Sequence, residues 1–215
     1  ELDGCADRIE IFRAALEVAP TYKDCADQWR ALREQLTKEL ERRQVYYIGK
    51  EYSDLLLAMP SDWAAAIKKF PALEKEVERG LRCFAFEQPT AAVFHMMRVA
   101  EYGLRLVAKE RKLKLPKDKP IDAAQWQELT SRLKTVVEKV GNWPARKKER
   151  AAALAFYTAV HAETVFFKDN YRNIVSHSLT MFGEQEADSV IRRVKEFMTV
   201  VSSRLDEKAT RIKWM

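Results

Sequence analysis

Apolar residues recur at helical spacing along nearly the whole chain, and no other feature of the sequence restricts the fold as strongly. Between residues 90 and 112, Val93, Met96, Met97, Ala100, Leu104 and Val107 form one stripe on a 3.6-residue helix. Residues 3–18, 22–57, 71–87, the stretch from Asp122 to Gly141, 147–177 and 184–213 read the same way. No strand-like alternation competes with them. Only 6 Gly and 7 Pro punctuate 215 residues, few for an all-β chain of this length. The expected fold class is therefore all-α.

Prolines and caps set the expected boundaries. The first helix is expected to end near Pro20, and Pro60 to end the 22–57 segment. Ser61 then caps a short helix, and Pro71 opens the next. Asp122 is expected to cap a helix, with Gln125 three residues on in a capping-box-like arrangement. These marks divide the chain into an N-terminal helical segment, 1–70, and a helical bundle, 71–215. Within the first, Trp29, Leu32, Leu36 and Leu40 form a row that either packs on its own domain or lies on a partner helix. The sequence begins with Glu1 rather than Met, which leaves room for upstream residues.

Hydrophobic residues make up 47% and charged residues 33%, a balance too apolar for a disordered chain. Cys5, Cys25 and Cys83 form no CxxC and no Cys/His cluster. That speaks against a disulfide framework or structural zinc and fits a reducing, cytoplasmic setting. No apolar run reaches the roughly 18–20 residues that span a bilayer, so no membrane partner is expected. The net charge is +6. Its local concentrations are "KERKLKLPKDK" (109–119), with six basic and two acidic residues, and "RKKER" (146–150), with four and one. They suit either attraction of phosphate backbones or ordinary solvated loops.

The stretch "FKDNYRNIVSHSLTMF" (167–182) carries the chemistry. Arg172 and His177 stand five residues apart, a spacing that 19 arginines and 3 histidines supply roughly once by chance, so the surroundings must carry the argument. Five α-helical residues turn the two side chains about 140° apart, so one shared face requires the helix to end or bend between them. Ser176, Ser178, Thr180 and Gly183 break the apolar rhythm here and place His177 at a helix C-terminus. Exposed carbonyls there favour the imidazolium. Lys168, Arg172 and Ser176 repeat every four residues, with Asp169 and Asn173 on the adjacent row. Phe166, Phe167, Tyr171 and Phe182 flank them. Such a polar cluster serves either phosphate handling or a buried hydrogen-bond network. His95 and His161 have no partners at ligand spacing, so no metal or cofactor is expected.

The stretch "FKDNYRNIVSHSLTMFGEQEADSVIRRVKEFM" resembles the C-terminal half of a prokaryotic HEPN domain, which carries an Arg-x4–6-His motif before an acidic, alanine-containing helix start. "TAAVFHMMRVAEYGLRLVAKERKLKL" resembles the first helix of the same group, and "AQWQELTSRLKTVV" its second. The resemblance covers about residues 72–206 and leaves 1–70 unassigned. It implies a bundle of four or more helices, commonly a homodimer with its two motifs facing each other. Many members are metal-independent endoribonucleases of toxin–antitoxin or phage-defence systems. Others bind nucleotides or proteins without catalysis.

On that resemblance Arg172, His177 and Asn173 are the catalytic candidates, and RNA is the substrate. His177 moves the proton near its ordinary range, and Arg172 grips phosphate oxygens with both arms of its guanidinium. Glu101 and Arg98 are expected near the motif helix. There Glu101 pairs either with Arg172 or with Arg98. Lys168, Asp169 and Ser176 complete the supporting set. An antitoxin or a larger effector is the further partner implied, the latter docked by residues 1–70.

Overall fold

The computed structural model describes residues 3–18, 21–41, 46–144, 146–177, 180–208, 212 and 214. The side chains of 3–5, 117, 176 and 177 are outside that description, as is Pro20. Every regular element among the described residues is helical. The chain divides into two compact units, Glu1–Tyr47 and Ile48–Met215. This division falls earlier than the boundary expected at 70/71.

The first unit is a hairpin of α1 (Asp3–Glu17) and α2 (Tyr22–Glu41). None of the residues of α2 is buried. Cys25, Gln28, Leu32 and Gln35 are half-buried, while Trp29, Leu36 and Leu40 stay exposed. The segment expected as one helix from 22 to 57 is interrupted: residues 46–49 are not helical.

The second unit holds α3 (Lys50–Asp62), α4 (Ala64–Lys69), α5 (Glu74–Ala85), α6 (Pro89–Glu110), α7 (Trp126–Gly141), α8 (Lys147–Phe167), α9 (Asn173–His177) and α10 (Glu184–Ser202). A one-turn π-helix, Lys168–Arg172, joins α8 to α9. The first two of these helices belong here because Met59, Trp63, Ala66 and Phe70 are buried in the common core. Pro60, expected as a terminator, sits inside α3. It lacks an N–H and so forgoes one helical bond, but the last turn is close enough to the end to tolerate it. Ser61 caps nothing; its hydroxyl bonds the Ala58 carbonyl.

The central element is α6, which packs against α5, α7, α8, α9 and α10. Its predicted stripe is sealed: Val93, Met96, Met97, Ala100, Leu104 and Val107 are all buried. At Gly103 a Cβ would lie 2.7 Å from Phe197 Cε1 and 2.8 Å from Met198 Sδ. Only glycine lets α6 and α10 approach this closely. Two contacts place α6 antiparallel to the run from α8 to α9. Tyr157 donates to the buried Glu110 carboxylate at 2.8 Å near one end. The Phe182 N–H donates to Thr90 Oγ1 at 2.9 Å near the other. The start of α6 therefore lies beside the motif.

Two further boundaries differ from expectation. The cap of α7 is Gln125, whose N–H donates to Glu128 at 2.7 Å. Asp122 instead lies in a 3-10 turn, Ile121–Ala123, and pairs with Lys109 at 2.7 Å. The terminal helix stops at Ser202, not near residue 213.

One core-edge group makes stability depend on pH. Burial first, and Lys134 second, hold the His161 imidazole below its ordinary value of 6.5. The unfolded chain then binds more protons than the folded one as pH falls through that value. Stability contributed by neutral His161 is complete above about pH 6.5 and declines below it, toward the lower folded pKa. Urea titrations at pH 7.5 and 5.5 are expected to show this decline, and His161→Gln to reduce it. An unchanged decline in that variant rejects the assignment.

Candidate functional site

The motif helix does not run as a plain α-helix. At Lys168–Arg172 the backbone widens into a π turn, closed by the Asn173 N–H on the Lys168 carbonyl. A local cause is visible: the Asn170 side-chain amide donates to the Phe166 carbonyl at 2.9 Å. Asparagine side chains compete in this way for backbone acceptors inside helices. Inserted π turns are frequent at functional sites. Residues five apart diverge by about 140° in an α-helix, whereas the i→i+5 turn brings Lys168 and Asn173 toward one face.

That face lines a cavity of about 370 Å³ together with Arg172 and with Gln125, Trp126 and Gln127 from the start of α7. The two walls are joined directly. Lys168 Nζ donates to Gln127 Oε1 at 2.6 Å and stands 3.0 Å from Asp169 Oδ1. Trp126, 2% exposed, donates its indole N–H to the Thr164 carbonyl at 2.9 Å. This pins the first turn of α7 one turn before the widened segment. Behind it, Tyr171 meets Phe166 edge-on and Phe182 at a tilt, with centroids 5.6 and 5.9 Å apart. The flanking aromatic residues thus brace the turn.

The sequence candidates separate. Lys168, Arg172 and Asn173 come together. Asp169 is more than half exposed and serves as a partner of Lys168. Arg98 and Glu101 line a different cavity of about 300 Å³ with Glu76, Tyr102 and Arg105. Their partners are not those expected: Glu101 pairs with Arg105 at 2.8 Å, and Arg98 Nε with Glu76 at 2.5 Å. The reason is register. Glu101 and Arg105 share a helical face four residues apart, while Glu76 on α5 also holds His95 Nδ1 at 2.8 Å.

The side chains of His177 and Ser176 lie outside the described residues. The backbone stays helical from Arg172 through His177, and the widened turn is Lys168–Arg172. Along the backbone of α9, His177 follows Asn173 by four residues and Arg172 by five.

Gln127 had no sequence signal. Gln125 stood out only as part of a capping pattern three residues out of register. Of the basic concentrations, Lys119 reaches Glu128 in the first turn of α7 at 2.7 Å. The end of the 109–119 segment is thereby tied to α7. Arg146 in the second concentration is engaged locally, by Glu149 at 2.7 Å.

No protein-family model, curated protein or solved structure matches the chain. Among the described residues, no helix is long and apolar enough to cross a membrane.

Proposed function

We propose that the chain is a metal-independent endoribonuclease of HEPN type, acting as a homodimer in a toxin–antitoxin or phage-defence setting. One observation carries this reading: the π turn puts Lys168, Arg172 and Asn173 on a single cavity wall facing the first turn of α7. Two cations and an amide on one wall are what the charged oxygens of a phosphodiester require.

The reaction follows from RNA chemistry. A ribose 2′-oxygen attacks the adjacent phosphorus, the bond to the 5′-oxygen breaks, and a 2′,3′-cyclic phosphate and a 5′-hydroxyl remain. His177 accepts the 2′ proton in one copy, and its counterpart in the second copy protonates the leaving oxygen. Arg172 neutralises the charge that develops on the non-bridging oxygens, and Asn173 orients the phosphate or the imidazole. Incubation with total RNA and tRNA in EDTA is expected to yield cyclic-phosphate ends. Cleavage that requires added metal, or that leaves 3′-hydroxyl ends, rejects this chemistry.

A second reading draws on the cavity's composition. Lys168, Arg172 and Asn173 supply two positive charges and an amide to that wall. A module that holds RNA or a nucleotide without cutting it needs nothing more. Saturable binding without a cyclic-phosphate product selects that reading.

A further inference from the structure

The short link between α7 and α8, residues 142–146, makes the two helices run antiparallel along a shared seam. One end of that seam is the cavity, fixed by Trp126 on the Thr164 carbonyl and by Lys168 on Gln127. Farther along, Lys134 of α7 lies close enough to His161 of α8 to add to the effect of burial on its imidazole. Helical register carries the same outer edge onward. On α8 and the residue after it, Lys147, Arg150, His161 and Lys168 fall within about 60° of one another. On α7, Gln127, Ser131, Lys134 and Glu138 do likewise.

This edge is cationic. Lys134 and Lys147 are exposed, and the half-buried Arg150 donates to the Trp143 carbonyl at 3.3 Å. Neighbouring carboxylates have other partners. Glu149 pairs with Arg146, Glu128 with Lys119 and Glu163 with Arg193, each at 2.7 Å. Within α7 and α8, Glu138 is the one carboxylate that register places on the edge. Ser131 and Thr158 add exposed hydroxyls between the cations.

We propose that the outer edge of the α7–α8 seam is a track for the RNA strand leading away from the cavity, with Lys134, Arg150 and Lys147 holding its phosphates. The inference rests on the RNA-directed reading above and adds how much of the strand is held. Lys168 and Lys147 are 168 − 147 = 21 residues apart, about 30 Å along the helix. About nine nucleotides stacked at ~3.4 Å cover that length, and fewer when extended. Known single-strand sites hold roughly 4–16 nucleotides. Two observations favour RNA over an acidic protein. The edge runs into the cavity wall that carries Lys168 and Arg172. Among the described residues, α7 and α8 expose no large apolar side chain, whereas protein interfaces centre on buried aromatic or apolar anchors. Hydroxyls and amides interleaved with cations are the groups that contact phosphate and sugar.

The test uses the full chain and 2′-O-methyl oligouridylates of about four and about twelve nucleotides, lengths at the two ends of the expected range. Their blocked 2′-oxygen prevents cleavage. Fluorescence anisotropy in EDTA, between about 50 and 200 mM salt, reads affinity and its salt slope. The longer strand is expected to bind about tenfold or more tightly, with the steeper slope. Lys134→Gln with Lys147→Gln, both at exposed positions, is expected to flatten that slope by about 1.4, two contacts at ~0.7 each, and to leave the short strand's slope unchanged. Arg132→Gln with Lys139→Gln removes the same charge from α7 at positions turned about 140–160° from Lys134, and is expected to change neither slope. Equal effects of the two pairs, or equal affinity for the two lengths in a chain that cuts RNA, overturn the track and leave the ribonuclease reading intact. Polyglutamate that competes as well as an oligonucleotide of equal charge overturns RNA as the occupant. The expected slopes without cleavage of total RNA uphold the track and reject catalysis. No binding at either length, together with no cleavage, overturns both.

Discussion

Replacing Arg172 or His177 by alanine is expected to lower RNA cleavage by about 10²–10⁴-fold, the range of a lost proton-transfer or charge-stabilising group. The fold should survive. Arg172 is only half-buried and faces a cavity, so its removal leaves no void in the core. Arg172→Lys separates charge from geometry. Lysine restores one positive charge but not a bidentate grip, so recovery should be partial. The double substitution is the decisive case. If the purified double variant, folded by circular dichroism, still cuts RNA at the parent rate, the motif does not perform the chemistry. Asn173→Ala is expected to fall between parent and double variant, since an orienting amide contributes less than a reacting group.

The second large effect falls on stability. Phe167 is fully buried and meets Phe197 of α10 edge-on, with centroids 5.6 Å apart. It is also the last residue of α8 before the π turn. Phe167→Ala removes a ring from a close-packed junction and is expected to cost about 3–5 kcal/mol. For a chain of this size that lowers the melting temperature by roughly 6–20 °C. Because the void opens directly beneath Lys168, the bond from Lys168 to Gln127 should loosen as well, and RNA affinity should fall at temperatures where the variant remains folded. A melting shift under about 2 °C would mean that the ring is not part of the core.

Much of the architecture was legible from one-dimensional pattern. The stripe from Val93 to Val107 needed only the 3.6-residue period, because a helix with one apolar side must turn that side inward. The continuous run from 147 to 177 and the aromatic residues around Arg172 were readable on the same ground. Boundaries were less so. Pro60 looked like a stop signal, yet the burial of Met59, Trp63 and Phe70 holds that region on the core and outweighs one missing hydrogen bond. The Asp122 cap lost to Gln125 because a side-chain cap is a small local preference, and packing of Trp126 against Thr164 sets the register of α7.

Composition and periodicity were enough for the all-helical class, for the apolar face of α6 and for a polar cluster centred on Arg172. Each depends on neighbours within one or two turns, which the linear order of residues specifies. The meeting of Lys168, Arg172 and Asn173 with Gln127, the diversion of Arg98 and Glu101 to a different cavity, and the approach of Lys134 to His161 were decided only in three dimensions. They join residues tens of positions apart, or turn on a single widened helical turn, and a helical repeat carries no information about which distant face arrives opposite it.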